Sequence, residues 1–230
     1  KTTQTNSGYA GVCVQSSASA TTSPQLSLAV NGGSLTTSGS ASGDGIQFVV
    51  GAHVATRATT SLTVTDNAIV DARNGGISAS RTSVTLPTPT PTGNNSSGIV
   101  FDDKNGTVYG KVELQEDITI GEGESLTIGD GASLNTGSHE VIVNGGTLNG
   151  ADKITGTVKY APTITTQPQD VEVKENETAT FTVEATGSDL SYRWQQSTDK
   201  GSSWTNIDSA TSATYTTGKT TMDMSGTQYR

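Results

Sequence analysis

Asp102-Asp103 is the only pair of adjacent aspartates in the 230-residue chain. Two carboxylates at a defined separation are what glycoside hydrolysis requires. Consecutive strand residues point to opposite faces, so this pair converges only in a turn. Asp102-Asp103-Lys104-Asn105-Gly106 does read as a turn, and a polar hairpin accounts for it more simply than a catalytic dyad. A lyase would place a basic residue among several acids. Arg57, Arg73 and Arg81 have few acidic companions, although Arg73 follows Asp71 closely. Zinc is excluded on ligand count, because Cys13, His53 and His139 cannot close a tetrahedral site. Cys13 lies between Val12 and Val14 and reads as a buried structural thiol. His53, near Val49, Val50 and Val54, reads as a strand histidine satisfied by its neighbours. Exposed aromatic faces are the usual means of sugar contact. Tyr109, beside the 102–106 turn, is expected to present such a ring, and Trp204 follows a Gly-Ser-Ser turn. Tyr109, Asp102, Asp103 and Trp204 are therefore the candidate ligand contacts, and no catalytic residue is assigned.

The formal net charge of −9, with a pI near 4.6 and no basic patch, argues against nucleic acid and anionic membranes as partners. Acidic steps such as Gly43-Asp44-Gly45 and Gly129-Asp130-Gly131 are of a kind that can hold Ca²⁺. The tandem repeat of calcium-binding solenoids is absent, so a solvated acidic surface is the reading adopted and no cofactor is expected. Glycine-rich steps occur at corners and open no helix, which removes a phosphate-binding loop. There is no apolar run of membrane-spanning length, so no membrane insertion is expected.

These residues must be positioned by strands. In Val108–Leu148 apolar residues alternate as Val112/Leu114, Ile118/Ile120, Leu126/Ile128 and Val141/Val143, separated by short Gly, Asp, Glu and Asn steps. A small-Gly-apolar element recurs at Gly11, Gly45, Gly76 and Gly98, at intervals of 34, 31 and 22 residues. A second element, strand-corner-strand, recurs at Leu28–Leu35, Leu62–Ile69 and Val141–Leu148, with a nine-residue form at Leu126–Leu134. Asn, Asp and Gly suit such corners because they tolerate positive φ. Stacked corners would align Asn31, Asp66 or Asn67, Asp130 and Asn144 in a polar ladder. Coils of roughly 22–34 residues fit a right-handed parallel β-helix over residues 1–160. The apolar share, counted with glycine and without tyrosine, is about 40%, below the usual 45–50%, as suits a thin core. The proline-rich segment 87–95 reads as a loop thrown out from one coil, because Gly98-Ile99 resumes the motif; a linker between two blocks is the alternative.

Composition shifts at Tyr160-Ala161-Pro162. Ala179, Phe181 and Val183 alternate over Thr178–Glu184, as do Val171/Val173 and Leu190/Tyr192/Trp194, which suggests a β-sandwich. The markers Gln167-Pro168, Phe181–Gly187, Tyr192-Arg193-Trp194 and Asp223–Arg230 make residues 161–230 resemble an immunoglobulin-like repeat of large bacterial surface proteins. The resemblance implies that Trp194 is the core tryptophan of strand C and that Val183 stands where bridged members carry a cysteine. It also implies that Tyr229 is the tyrosine-corner residue opening strand F. The chain ends at Arg230 as that strand begins, so the sandwich is expected to be partial, with an open edge prone to edge-to-edge self-association. Residues 1–160 resemble, more loosely, solenoid segments of secreted and wall-attached bacterial proteins.

Together these readings predict an all-β internal piece of a longer extracellular, secreted or cell-wall-attached bacterial protein. Its expected role is a non-enzymatic stalk or adhesin module that displays or contacts glycans or host surface proteins. A polysaccharide lyase or hydrolase on a β-helix is the alternative from another class, and a carbohydrate-binding module is a third.

Overall fold

A computed structural model describes residues 12–16, 25–38, 45–50, 59–80, 84–85 and 96–230. Segment 87–95, Gly11, Gly43, Asp44, His53, Arg57, Arg81 and the side chain of Cys13 lie outside what it describes. The fold is all-β, with no α-helix among the described residues and two single-turn 3-10 segments, Ala151–Lys153 and Met222–Met224. The chain divides into two compact units, Lys1–Lys159 and Tyr160–Arg230.

The first unit opens with β1 (Val12–Ser16), β2 (Gln25–Asn31), β3 (Ser34–Ser38), β4 (Ile46–Val50), β5 (Thr59–Thr65), β6 (Ala68–Asn74), β7 (Ile77–Ser80), β8 (Val84–Thr85) and β9 (Gly98–Asp102). Every third strand pairs in parallel, giving the orders β1-β4-β7, β2-β5-β8 and β3-β6-β9. The corner between β2 and β3 is Gly32-Gly33, at φ 69° and 68°; its neighbour between β5 and β6 is Asp66-Asn67, at φ 54° and 61°. Both dipeptides adopt the left-handed conformation open to Gly, Asn and Asp. The Gly32 amide donates to Thr65 O (2.9 Å), and the Ile69 amide to Gly33 O (2.9 Å), so one corner seats the next.

The unit continues with β10 (Asn105–Tyr109), β11 (Lys111–Glu113), β12 (Ile118–Ile120), β13 (Ser125–Ile128), β14 (Ser133–Val143), β15 (Thr147–Asn149) and β16 (Ile154–Tyr160). β14 spans a corner at Gly137: its first half pairs with β11 and its second with β12, both in parallel. The sheet order β15-β13-β10-β9-β6-β3 joins this group to the first.

The join is the antiparallel hairpin β9–β10. The core changes side at the same point. Ala68, Val70, Ala72 and Val100 pack with Leu26, Ile46, Phe48, Leu62 and Val64 on one face of the shared sheet. Ile69, Ile99, Phe101 and Val108 pack with Val112, Ile120, Leu126 and Leu134 on the other. Direction and core side reverse together, so the chain circulates in one sense before and after the hairpin. β9 is accordingly buried along both faces, and its Gly-Ile-Val-Phe run has no polar alternation. Gly106 lies opposite Phe101, and a Cβ there would sit 2.5 Å from the Phe101 ring, which fixes the residue as glycine.

The alternating residues of Val108–Leu148 face inward as expected, from Val143 at 7% exposure to Ile120 and Leu126 at 0%. Two register expectations fail. Asn31 is level with Thr65, whose hydroxyl donates to Asn31 Oδ1 (2.8 Å), and not with Asp66 or Asn67; Asp130 and Asn144 do not join that rung. Gly98-Ile99 pairs with Ala68-Ile69, so it belongs to a different sheet from Gly45-Ile46 and Gly76-Ile77, which pair with each other's coil.

The second unit contains β17 (Thr163–Thr166), β18 (Thr180–Thr182), β19 (Glu184–Thr186), β20 (Gln195–Ser197), β21 (Thr205–Asn206), β22 (Thr214–Thr216) and β23 (Gln228–Tyr229). They pair antiparallel as β17-β19, β18-β22 and β21-β20-β23. Trp194 is buried, donating from Nε1 to Ser212 O (2.8 Å), with its ring 6.4 Å from Phe181 and 5.9 Å from Tyr215, both of which also contact the Tyr229 ring (4.7 and 5.6 Å). The alternation at Val171/Val173 and Leu190–Trp194 predicts strands that do not form, and Val171 and Val173 stay exposed. Alternation marks an extended chain, and pairing requires a neighbour as well.

Candidate functional site

The β9–β10 hairpin gathers most of the residues singled out for chemistry. Asp102 ends β9, Asp103-Lys104 makes the two-residue loop, and Asn105 opens β10 level with Asp102. Asp103 is exposed at φ 52°, whereas Asp102 is part-buried and turned inward. Asp102 Oδ1 accepts from the Ile77 amide (2.7 Å), the role that Gly76 O plays for the Ile46 amide one coil below (3.0 Å). A side chain thus completes the upper edge of β7.

The lower edge of the second group is completed the same way. Asn67, at the β5–β6 corner, accepts from the Glu113 amide of β11 (2.9 Å). Arg73, near the end of β6, donates from Nη1 to Thr119 O of β12 (2.8 Å) and to Glu124 (3.1 Å). Its Nη2 donates to Asp71 Oδ2 (2.8 Å), and its guanidinium lies 4.3 Å from the centre of the Phe101 ring. Burial disfavours the Arg73 charge, but hydrogen bonds and attraction from Asp71 and then Glu124 outweigh it and raise the pKa above its ordinary value. Glu124 also accepts from the Gly121 amide (2.9 Å). Arg73 therefore has a second acidic companion, Glu124, besides the Asp71 that its sequence position shows. Glu124 is 51 residues away, and no local pattern marks it. The available signal was the charged continuation of the strand face Ile69-Asp71-Arg73.

Tyr109 corrects the expectation of an exposed ring. It is 7% exposed and packs in the first core with Val100. It follows Val108, which faces the second core, so it points to the opposite face of the strand, where the first core already stands. Burial, followed by the Asp102 charge, pushes its hydroxyl pKa up, against a hydrogen bond with Thr107.

Trp204 lies apart from these residues, in the second unit. It is part-exposed, and the Arg230 guanidinium sits 4.2 Å from the centre of its ring. The preceding turn is built on Asp199, which accepts from Ser203 Oγ, Ser203 N and Ser197 Oγ; those bonds, in that order, hold its carboxyl down at about 2.

Outward side chains of β10, β13 and β15 form two polar rows, Asn105/Ser125/Thr147 and Thr107/Thr127/Asn149. Ser125 Oγ donates to Asn105 Oδ1 (3.1 Å), and Asn149 Nδ2 donates to Thr127 Oγ1 (3.2 Å). Among the described residues no cluster of three or more His, Cys, Asp or Glu could hold a metal ion, and no helix is long and apolar enough to cross a membrane.

Residues 155–230 match the family described as Domain of unknown function (DUF8696). No curated protein and no solved structure matches the chain.

Proposed function

We propose that the chain is a non-enzymatic extracellular surface module: a right-handed parallel β-helix followed by a partial immunoglobulin-like sandwich, contacting glycans or host surface proteins through exposed rungs. Parallel pairing at offsets of 34 and 31 residues before the hairpin and 22 after it supports the β-helix, and the strong preference of parallel crossovers for one hand supports right-handedness. The buried Trp194, packed against the Phe181 and Tyr215 rings, supports the sandwich. The observation that carries the function is the pair of polar rows on β10, β13 and β15. Their hydroxyls and amides sit at strand spacing, on a rigid backing, as a surface that hydrogen-bonds a repeating polar ligand without doing chemistry on it.

A glycan and matrix-protein array tests this directly. Retention of the native chain, lost in Thr127→Lys, is the expected result. Binding to nothing on the array, or binding unchanged in Thr127→Lys, contradicts it. A second reading, a polysaccharide lyase or hydrolase, is favoured by one observation: Arg73 stands between Asp71 and Glu124. Release of unsaturated uronate or reducing ends, abolished in Glu124→Gln, would establish that reading in place of ours.

A further inference from the structure

Five Asn-Gly pairs stand in the chain: Asn31-Gly32, Asn74-Gly75, Asn105-Gly106, Asn144-Gly145 and Asn149-Gly150. Such a pair can react with itself, the glycine amide nitrogen attacking the asparagine Cγ. The two atoms must be free to approach each other, and glycine puts no Cβ in the way. The fold grants that freedom unequally.

Three of the asparagine side chains are restrained by hydrogen bonds. Asn31 Oδ1 accepts from Thr65 Oγ1 (2.8 Å), and the Gly32 amide is already committed to Thr65 O (2.9 Å). Asn105 Oδ1 accepts from Ser125 Oγ (3.1 Å), and Gly106 is buried within β10, which pairs with β9 and with β13. Asn149 lies in β15 and donates from Nδ2 to Thr127 Oγ1 (3.2 Å). Asn74 is exposed, but it ends β6 level with Ser38 of β3, which holds its main chain extended.

Asn144 differs on each count. It follows β14, lies in no strand, and is exposed together with Gly145. Its main-chain amide donates to Ile120 O (2.8 Å), which anchors the corner. Its side chain and the Gly145 amide have no hydrogen-bond partner among the described residues. The inner side of the same corner is tight. A Cβ on Gly146 would sit 2.5 Å from both Gly121 O and Ile120 Cγ2.

We propose that Asn144 is a site of spontaneous deamidation, and that its conversion loosens β15. The bond from Gly145 N to Asn144 Cγ forms and the Cγ–Nδ2 bond breaks. Nδ2 leaves as ammonia, taking up the proton that the Gly145 amide gives away. Water then opens the succinimide ring at either carbonyl, giving aspartate or isoaspartate; no oxidant or metal is consumed. Both products add a carboxylate at a corner that stacks on Glu122, whose Cβ lies 3.6 Å from where a Gly145 Cβ would sit. Isoaspartate also lengthens the main chain by a methylene between β14 and β15, where packing leaves no slack. The pairing of Leu126 with Leu148 then loses its register. This inference goes beyond the surface-module reading and does not rest on it.

The test incubates the full chain in mildly alkaline buffer and follows each Asn-Gly peptide by digestion and mass spectrometry, with isoaspartyl methyltransferase marking isoaspartate. A single hydrogen bond that must break before the ring closes is enough for about a tenfold difference in rate. Asn144 is expected to convert about tenfold or more faster than Asn31, Asn105 and Asn149, with Asn74 between them. In the urea-unfolded chain all five are expected to convert at similar rates, because the restraint lies in the fold. Conversion of Asn144 no faster than the others in the native chain, or the same ranking after unfolding, overturns the proposal. Amide exchange at Leu148 reads the consequence. It is expected to be faster in the isoaspartate form, separated by ion exchange, and unchanged in Asn144→Asp, whose main chain keeps its ordinary length. Equal exchange in the isoaspartate form and the native chain overturns the loosening of β15.

Discussion

The two units use the same material, short strands rich in Thr, Ser and Gly, but they close their edges differently. Every one of the largest fully buried side chains among the described residues lies in the first unit. Every large exposed apolar side chain among the described residues lies at Tyr160 or beyond. In the first unit parallel stacking supplies each strand with a neighbour. Where a sheet ends at the hairpin, Asp102, Asn67 and Arg73 supply the missing hydrogen-bond partner. In the second unit the strands are two to four residues long, and Val171–Val173 have no backbone hydrogen-bond partner among the described residues. A buried backbone group left unpaired costs free energy, and a side-chain acceptor placed at a sheet end removes that cost without another coil.

The contrast can be broken, starting from the largest effect. Phe101→Ala removes a side chain with no exposure that underlies Arg73; a loss of about 3–5 kcal/mol in denaturant unfolding of the first unit is expected. Met222→Thr, at a residue 74% exposed, should change stability by no more than about 0.5 kcal/mol by the same measurement. If the two substitutions cost the same, the closed-versus-open distinction is wrong.

Arg73→Met leaves Thr119 O without its side-chain donor and takes the guanidinium away from Asp71 and Glu124, which keep backbone donors. Part of that loss is screened by solvent, and about 1–3 kcal/mol is expected by thermal or denaturant unfolding. Asp102→Ala strands the Ile77 amide and should cost about 1–2 kcal/mol, whereas Asp102→Asn, which keeps an acceptor, should cost less. Equal losses from Ala and Asn would show that the capping bond contributes nothing.

Tyr109 gives the smallest and most specific signal. Its folded pKa is raised, so its stability contribution is complete below the unfolded value of about 10 and is lost as pH climbs through the folded value. Unfolding at pH 8 and pH 11 should show a smaller alkaline loss in Tyr109→Phe than in the native chain. An identical loss in both would mean that the hydroxyl is not buried.

The inward residues from Val112 to Val143 were legible because a strand's period of two is printed in the sequence. The Gly32-Gly33 and Asp66-Asn67 corners were legible through residues that accept positive φ, but their rungs were not, since register depends on where a coil closes. The burial of Tyr109 is not legible, because nothing local announces that the first core stands against its strand face. The Arg73–Glu124 contact, and Asn67 as a cap for β11, join residues 51 and 46 positions apart and exist only after the sheets stack. The unpaired Val171–Val173 stretch shows the converse: its alternation is a sound sign of extended chain and says nothing about a partner.

The central claim is that the two halves of the first unit complete each other's sheet ends through side chains. Amide hydrogen exchange at Glu113 tests it most directly. The account predicts a protected Glu113 amide in the native chain and loss of that protection in Asn67→Ala, with the Ile120 and Val143 region unaffected. A Glu113 amide that exchanges at the rate of a free peptide in the native chain would contradict it.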